Sequence, residues 1–145
     1  MLKYKVIKKV KFEDEYMIRI EKIDSIAASR KYPPTPPQWQ AISITGADIL
    51  VAAAAGSGKT EVLSERIARK VATDRWDIDR LLVLTFTTAA AKNMIVRIED
   101  KISERLLSTN KEEDLLYLRK QRMLMNDAYV STIDSFCLNI LKKFY

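Results

Sequence analysis

The stretch Ile49-Leu50-Val51-Ala52-Ala53-Ala54-Ala55-Gly56-Ser57-Gly58-Lys59-Thr60 decides how the chain is read. A short apolar strand, predicted at Asp48 to Ala52, runs into a string of small residues and then into a helix predicted from Gly58 to about Val71. Strand, small-residue loop and helix opening at Gly-Lys-Thr are the context that a phosphate-binding loop requires. Small side chains let backbone N–H groups approach and encircle phosphate oxygens, and the helix N-terminus adds partial positive charge. Lys59 is placed to reach the β- and γ-phosphates, and Thr60 to ligand a Mg²⁺ that arrives with the nucleotide. The nucleotide-binding candidates are therefore Ala53, Ala54, Ala55, Gly56, Ser57, Gly58, Lys59, Thr60 and Glu61, with Lys59 and Thr60 as the catalytic pair. Ala53 stands where the general pattern has its first Gly, a change the backbone accepts where no positive φ is needed.

Upstream, Thr35-Pro36-Pro37-Gln38-Trp39-Gln40-Ala41-Ile42 starts a helix predicted over roughly 36 to 45. The Gln38 carboxamide offers a donor and an acceptor together, which match the adenine N6 amine and N7 and favour ATP over GTP. Four prolines (Pro33, Pro34, Pro36 and Pro37) disfavour regular structure and mark a boundary. Before it, residues 4 to 12 and 16 to 21 alternate apolar and polar around Glu13-Asp14-Glu15, the pattern of a β-hairpin. The expected organisation is an N-terminal hairpin extension over 1–32 and a main domain over 33–145.

Downstream of the loop, a strand at Leu81 to Thr85 precedes Ala91, Met94, Ile95, Ile98, Ile102 and Leu106 at helical spacing. A helix over Lys111 to Met125, a strand at Ala128 to Thr132 and a helix from Ser135 to Phe144 complete the pattern. Alternation of this kind predicts an α/β fold with a parallel sheet flanked by helices. The Thr85-Phe86-Thr87-Thr88 turn follows the C-terminal end of a strand, where open α/β sheets place ligands. Phe86 is a candidate for stacking on a base, worth on the order of 1 to 3 kcal/mol. Trp39 and Phe136 read as core or interdomain contacts, and Cys137, on a stripe with Phe136, Ile140 and Leu141, as an inert buried thiol.

Bulk properties agree with a polyanionic partner: net charge is +6, and residues 1–32 alone carry +4 of it. One cysteine cannot form an internal disulfide, and with no histidine a zinc site has too few ligands. Neither a transmembrane run nor a signal peptide is evident, so the expectation is a cytoplasmic protein with no membrane partner.

Taken in order, these segments resemble the motifs of the UvrD/Rep class of superfamily 1A helicases, and among them the AddA (RexA) helicase-nuclease subunits. Thr35 to Ile42 resembles the Q motif, and Ala53 to Thr60 resembles motif I, in which an Ala at the first position is common. Leu82 to Ala91, followed by Met94 and Arg97, resembles motif Ia, and Ser131-Thr132-Ile133-Asp134-Ser135-Phe136-Cys137 resembles the next DNA-contacting motif. The resemblance covers residues 35 to 145. It implies a partial RecA-like lobe that binds ATP and Mg²⁺, with Thr85, Phe86, Thr87, Thr88, Asp134 and Ser135 along DNA. It also implies work on single- and double-stranded DNA ends in recombinational repair, beside a second, AddB- or RexB-like subunit.

Two positions depart from the family pattern. Thr88 replaces an Asn, keeping a hydroxyl but losing the two-sided amide, and Asp134 replaces a His, setting a carboxylate where phosphates approach. The resemblance places the Mg²⁺-binding acid pair and the arginine motifs downstream of Tyr145. The rival readings are a non-catalytic module that binds nucleotide or DNA or docks on a helicase, and another phosphate-loop enzyme such as a small kinase.

Overall fold

The computed structural model describes residues 5–9, 24–46 and 48–145. The chain divides into two compact units, Met1–Arg69 and Lys70–Tyr145.

In the first unit, β1 (Lys5–Lys9) pairs antiparallel with β2 (Asp48–Ala52), in a register running from Lys5 opposite Ala52 to Lys9 opposite Asp48. A short helix, α1 (Ser25–Ala28), is capped by Asp24, whose Oδ1 accepts from the Ala27 amide at 2.7 Å. Helix α2 (Pro36–Ser43) carries prolines at its first two positions, where a missing N–H leaves no helical bond unmade. At its other end Arg66 Nη1 donates to the carbonyls of Ala41 and Ile42, at 2.9 and 3.2 Å, supplying partners the last turn lacks. Arg66 stands on α3 (Lys59–Asp74), so this tie fixes α2 against the helix that leaves the loop. Ala27, Trp39, Ala41, Ile42 and Val62 form the core between them, with Val51 of β2 packed against it. The Arg69 guanidinium lies over the buried Trp39 ring at 5.8 Å from its centroid.

The second unit holds the end of α3, β3 (Leu82–Thr85), α4 (Thr88–Ser108), α5 (Glu112–Leu124), β4 (Tyr129–Thr132) and α6 (Ile133–Phe144). β3 and β4 are parallel, with Val83 opposite Val130 and Thr85 opposite Thr132. Helix α4 turns Ala91, Met94, Ile98 and Ile102 inward, one residue per turn of the expected stripe, and packs on both strands and on α5. After α3 the chain turns at Arg75, the one non-glycine with positive φ among the described residues (58°). That conformation costs roughly 1–2 kcal/mol. The Arg75 guanidinium is held by the Asp114 carboxylate and by the Tyr117 ring, 4.5 Å from its centroid. Tyr117 donates its hydroxyl to the Trp76 carbonyl at 3.0 Å, and burial, aided by the Asp77 carboxylate and opposed by Arg75, raises its pKa.

The expected parallel pairing therefore holds for β3 and β4, while the loop-bearing strand β2 differs: its partner among the described residues is β1, in an antiparallel sheet. Alternation specifies that a segment is a strand and leaves its partner open. The first arm of the expected hairpin is β1, and the second arm, 16 to 21, lies outside the described residues. Helix bounds fall within three residues of the expected ones, with α2 ending at Ser43 and α3 reaching Asp74. Cys137 corrects its expected burial: it is exposed, because no residue of α6 is buried among the described residues and its apolar stripe is uncovered.

Fully buried Gln121 joins the segment before β3 to α5. Its Oε1 accepts from the Ile78 amide at 2.9 Å and its Nε2 donates to Asp77 Oδ1 at 2.6 Å. Gln121→Ala leaves the buried Ile78 N–H without its acceptor and is expected to cost roughly 1–3 kcal/mol, read from urea unfolding as a lower midpoint at unchanged slope.

Candidate functional site

Between β2 and α3 the backbone turns twice through the left-handed region, at Gly56 (φ 73°) and Gly58 (φ 83°). Ser57, between them, is buried and donates its amide to the Ala54 carbonyl at 3.3 Å. Gly58 then accepts the first bond of α3 from the Val62 amide at 2.9 Å. A β-carbon at Gly56 would meet nothing within 4 Å, so glycine is required there by conformation and not by space. Lys59 folds back over the loop and donates Nζ to the carbonyls of Ala53 and Ala54, at 3.0 and 2.7 Å. Its ammonium thus ties the start of α3 to the two residues that open the loop. Thr60 and Glu61 are exposed on the first turn of α3, while Ala54, Ala55 and Gly56 form the exposed arc of the loop.

Ala53 lacks the positive φ that would demand glycine, so the alanine at this position costs the loop nothing in backbone strain. Gln38 joins the loop from the side. Its Oε1 accepts from the Thr35 amide at 2.8 Å, closing the N-terminus of α2, and its Nε2 donates to the Ser57 carbonyl at 3.1 Å. Both functions of the carboxamide are engaged within the protein, so the side chain acts as a strut between α2 and the loop.

Beside Gly58 lies a cavity of about 210 Å³. Ile42 and Val62 give it apolar lining, Gln38, Glu61 and Glu65 polar lining, and the segment Arg30 to Pro34 the rest. Glu65 is 1% exposed and paired with Arg30 at 2.6 Å. Sequence reasoning misses Arg30, Tyr32 and Glu65. Glu65 stands one turn beyond Glu61 on the same helix face, a spacing that signals it. The Arg30 to Pro34 segment reads only as a boundary until the fold brings it back to α3.

The second unit gathers the remaining candidates at one sheet edge. Parallel pairing sets Thr85 beside Thr132, so the turn after β3 and the turn after β4 emerge together. Thr87 caps α4, its Oγ1 accepting from the Ala90 amide at 3.1 Å, and Thr132 caps α6, accepting from the Ser135 amide at 3.1 Å. Thr132 also donates its hydroxyl to Ser135 Oγ at 2.8 Å, and Thr85 Oγ1 donates to the Thr87 carbonyl at 3.0 Å. These bonds leave two helix N-termini side by side, which favour an anion. Phe86 is 93% exposed and so is not packed beneath α4. Asp134 is exposed in the first turn of α6, where the helix dipole stabilises its charge. Thr88 is exposed at the start of α4. The phosphate-loop candidates and the sheet-edge candidates belong to different units.

Residues 35–145 match the family described as the UvrD/REP helicase N-terminal domain. The chain is similar to the AddA-type ATP-dependent helicase/nuclease subunit of Geobacillus thermodenitrificans, 52% identical over 113 residues, covering 77% of this chain and 9% of that protein. The corresponding subunits of Bacillus anthracis and Staphylococcus aureus are 50% and 46% identical, with the same coverage of each chain. The chain therefore spans about 9% of the length of these relatives. No helix among the described residues is long and apolar enough to cross a membrane.

Because the φ of 73° at Gly56 is its only requirement, Gly56→Ala is expected to lower stability by roughly 1–2 kcal/mol, and Gly56→Asn, which tolerates that region, by less. Urea unfolding of the two variants side by side measures the difference.

Proposed function

Because this chain belongs to the UvrD/REP helicase N-terminal domain family, we propose that it forms the ATP-phosphate-binding part of a DNA helicase motor of the AddA helicase/nuclease type. The observation that carries the reading is the loop: Lys59 Nζ lies against the carbonyls of Ala53 and Ala54, in a turn that only Gly56 and Gly58 allow. Two carbonyl oxygens partly satisfy an ammonium, and a triphosphate offers it more charge at the same place. The residues fit Mg-ATP: backbone amides of Ala54 to Thr60 and Lys59 would hold the phosphates, and the Thr60 hydroxyl would take a ligand position on the metal. Bound Mg-ATP supplies the phosphoanhydride on which a motor of this kind runs.

Glu61 belongs to the same site as part of the cavity lining beside Gly58. Gln38 contributes by holding the loop's Ser57 carbonyl to α2, so it sets the shape into which phosphates fit. In this reading residues 33–145 are the first part of a RecA-like lobe and residues 1–32 an extension to it. The sheet edge at Thr85 to Thr88 with Asp134 and Ser135 is the DNA-facing part, with Phe86 the exposed ring on which a single-stranded base stacks. The relatives' names, helicase/nuclease subunits, support the further proposal that the chain works within a helicase-nuclease assembly, and the motif resemblance adds DNA ends as its substrate and a second subunit as its partner.

Mg-ATP and Mg-GTP titrations on the intact chain test the central part. Lys59→Ala, which removes a charge-assisted contact, is expected to lower Mg-ATP affinity roughly 10- to 100-fold. Gln38→Ala is expected to lower ATP and GTP binding together, through a slackened loop. A folded chain that binds neither nucleotide contradicts the proposal.

A further inference from the structure

The proline-rich segment ahead of α2 returns to the loop, and it presents an aromatic ring there. Tyr32 lines the cavity beside Gly58 yet is 81% exposed. Its backbone is fixed from both sides. Arg30 is anchored to the buried Glu65 carboxylate at 2.6 Å, and Pro33 and Pro34 hold their own φ and restrict the residue before each. The Lys31 ammonium lies 5.4 Å from the Tyr32 ring centroid. An aromatic ring presented this way loses little freedom when a flat partner settles on it, so its contact area converts efficiently into affinity.

The cavity has the dimensions of a ring system: about 210 Å³ is below the roughly 300–1,000 Å³ typical of sites that take drug-sized ligands. Ile42 and Val62 give it apolar surface. Gln38, the side chain best suited to read a base edge, has its carbonyl on Thr35 and its amine on Ser57. Each of these bonds leaves one N–H and one lone pair of the carboxamide over, and the apolar surface adds room for recognition through the face of a base.

We propose that Tyr32 is the stacking platform for the nucleobase of the bound nucleotide, contributing affinity that is indifferent to which base it is. The proposal rests on the nucleotide-binding reading above and adds a residue outside the loop to it. Every base has a π-face, so a stacked tyrosine raises affinity for adenine and guanine nucleotides alike.

The test compares Mg-ATP, Mg-GTP and magnesium tripolyphosphate, which carries the phosphates without a base, on the intact chain and on Tyr32→Ala and Tyr32→Phe. Tyr32 is exposed, so neither change disturbs the core. Tyr32→Ala is expected to weaken ATP and GTP roughly tenfold or more and to leave tripolyphosphate binding unchanged, while Tyr32→Phe retains both nucleotides. Unchanged ATP affinity in Tyr32→Ala overturns the stacking role alone, and so does an equal loss of ATP and tripolyphosphate, which would mean that the ring acts on the loop. A parent chain that binds none of the three overturns this proposal and the nucleotide reading together.

Discussion

A backbone that must turn inward on itself twice within three residues is the constraint on which the rest of the first unit depends. Gly56 and Gly58 both take positive φ, Ser57 is buried between them, and α3 begins at the next residue. Such a turn exposes amides on its inner side and would be loose if left to itself. It is braced by three different groups: the Ser57 amide on the Ala54 carbonyl, the Gln38 amide on the Ser57 carbonyl, and Lys59 on Ala53 and Ala54. Two of the braces come from the loop itself, and Gln38 transmits the position of α2 to it. The core under α2, with Trp39 and Ile42 against Val62, thereby becomes part of the loop's geometry.

Buried charge in this unit follows the same logic. Glu65 at 1% exposure would be costly without a cation, and Arg30 meets it at 2.6 Å. A buried pair of this kind adds little net stability over an apolar pair of equal volume, but removing one partner is costly. Its consequence is positional: the segment ahead of α2 is held to α3, and the cavity beside Gly58 has a wall there. In the second unit, Gln121 and the Arg75 contacts hold the turn between α3 and β3 in a comparable way.

Much of this is legible in the chain because the signals are local. Glycine at 56 and 58, the small residues before them and the apolar strand specify a turn whose geometry admits few alternatives, and the stripe from Ala91 to Ile102 specifies one helix face. The turns after β3 and β4 are legible for the same reason, since Thr87 and Thr132 are N-caps following strands. What escapes depends on distance along the chain. The pairing of β1 with β2 joins residues about forty positions apart, and alternation carries no address for a partner. Arg30 and Tyr32 come to line the cavity only when α3 brings Glu65 across. In the sequence the carboxamide of Gln38 shows what it can offer a base, and its ties to Thr35 and Ser57 appear only in the fold. Cys137 lies on an apolar stripe that suggests a core, and apolar periodicity reports a face without reporting what covers it.

The most direct measurement of the central claim is a map of backbone amide resonances as Mg-ATP is added to the intact, isotope-labelled chain. The largest shifts are expected on the amides of Ala54 to Glu61, with Ser57 and Gly58 among them, because the proposed phosphate site lies at that loop. Shifts that leave the loop untouched and fall elsewhere, or saturation with no shift at all in residues 54–61, would contradict it.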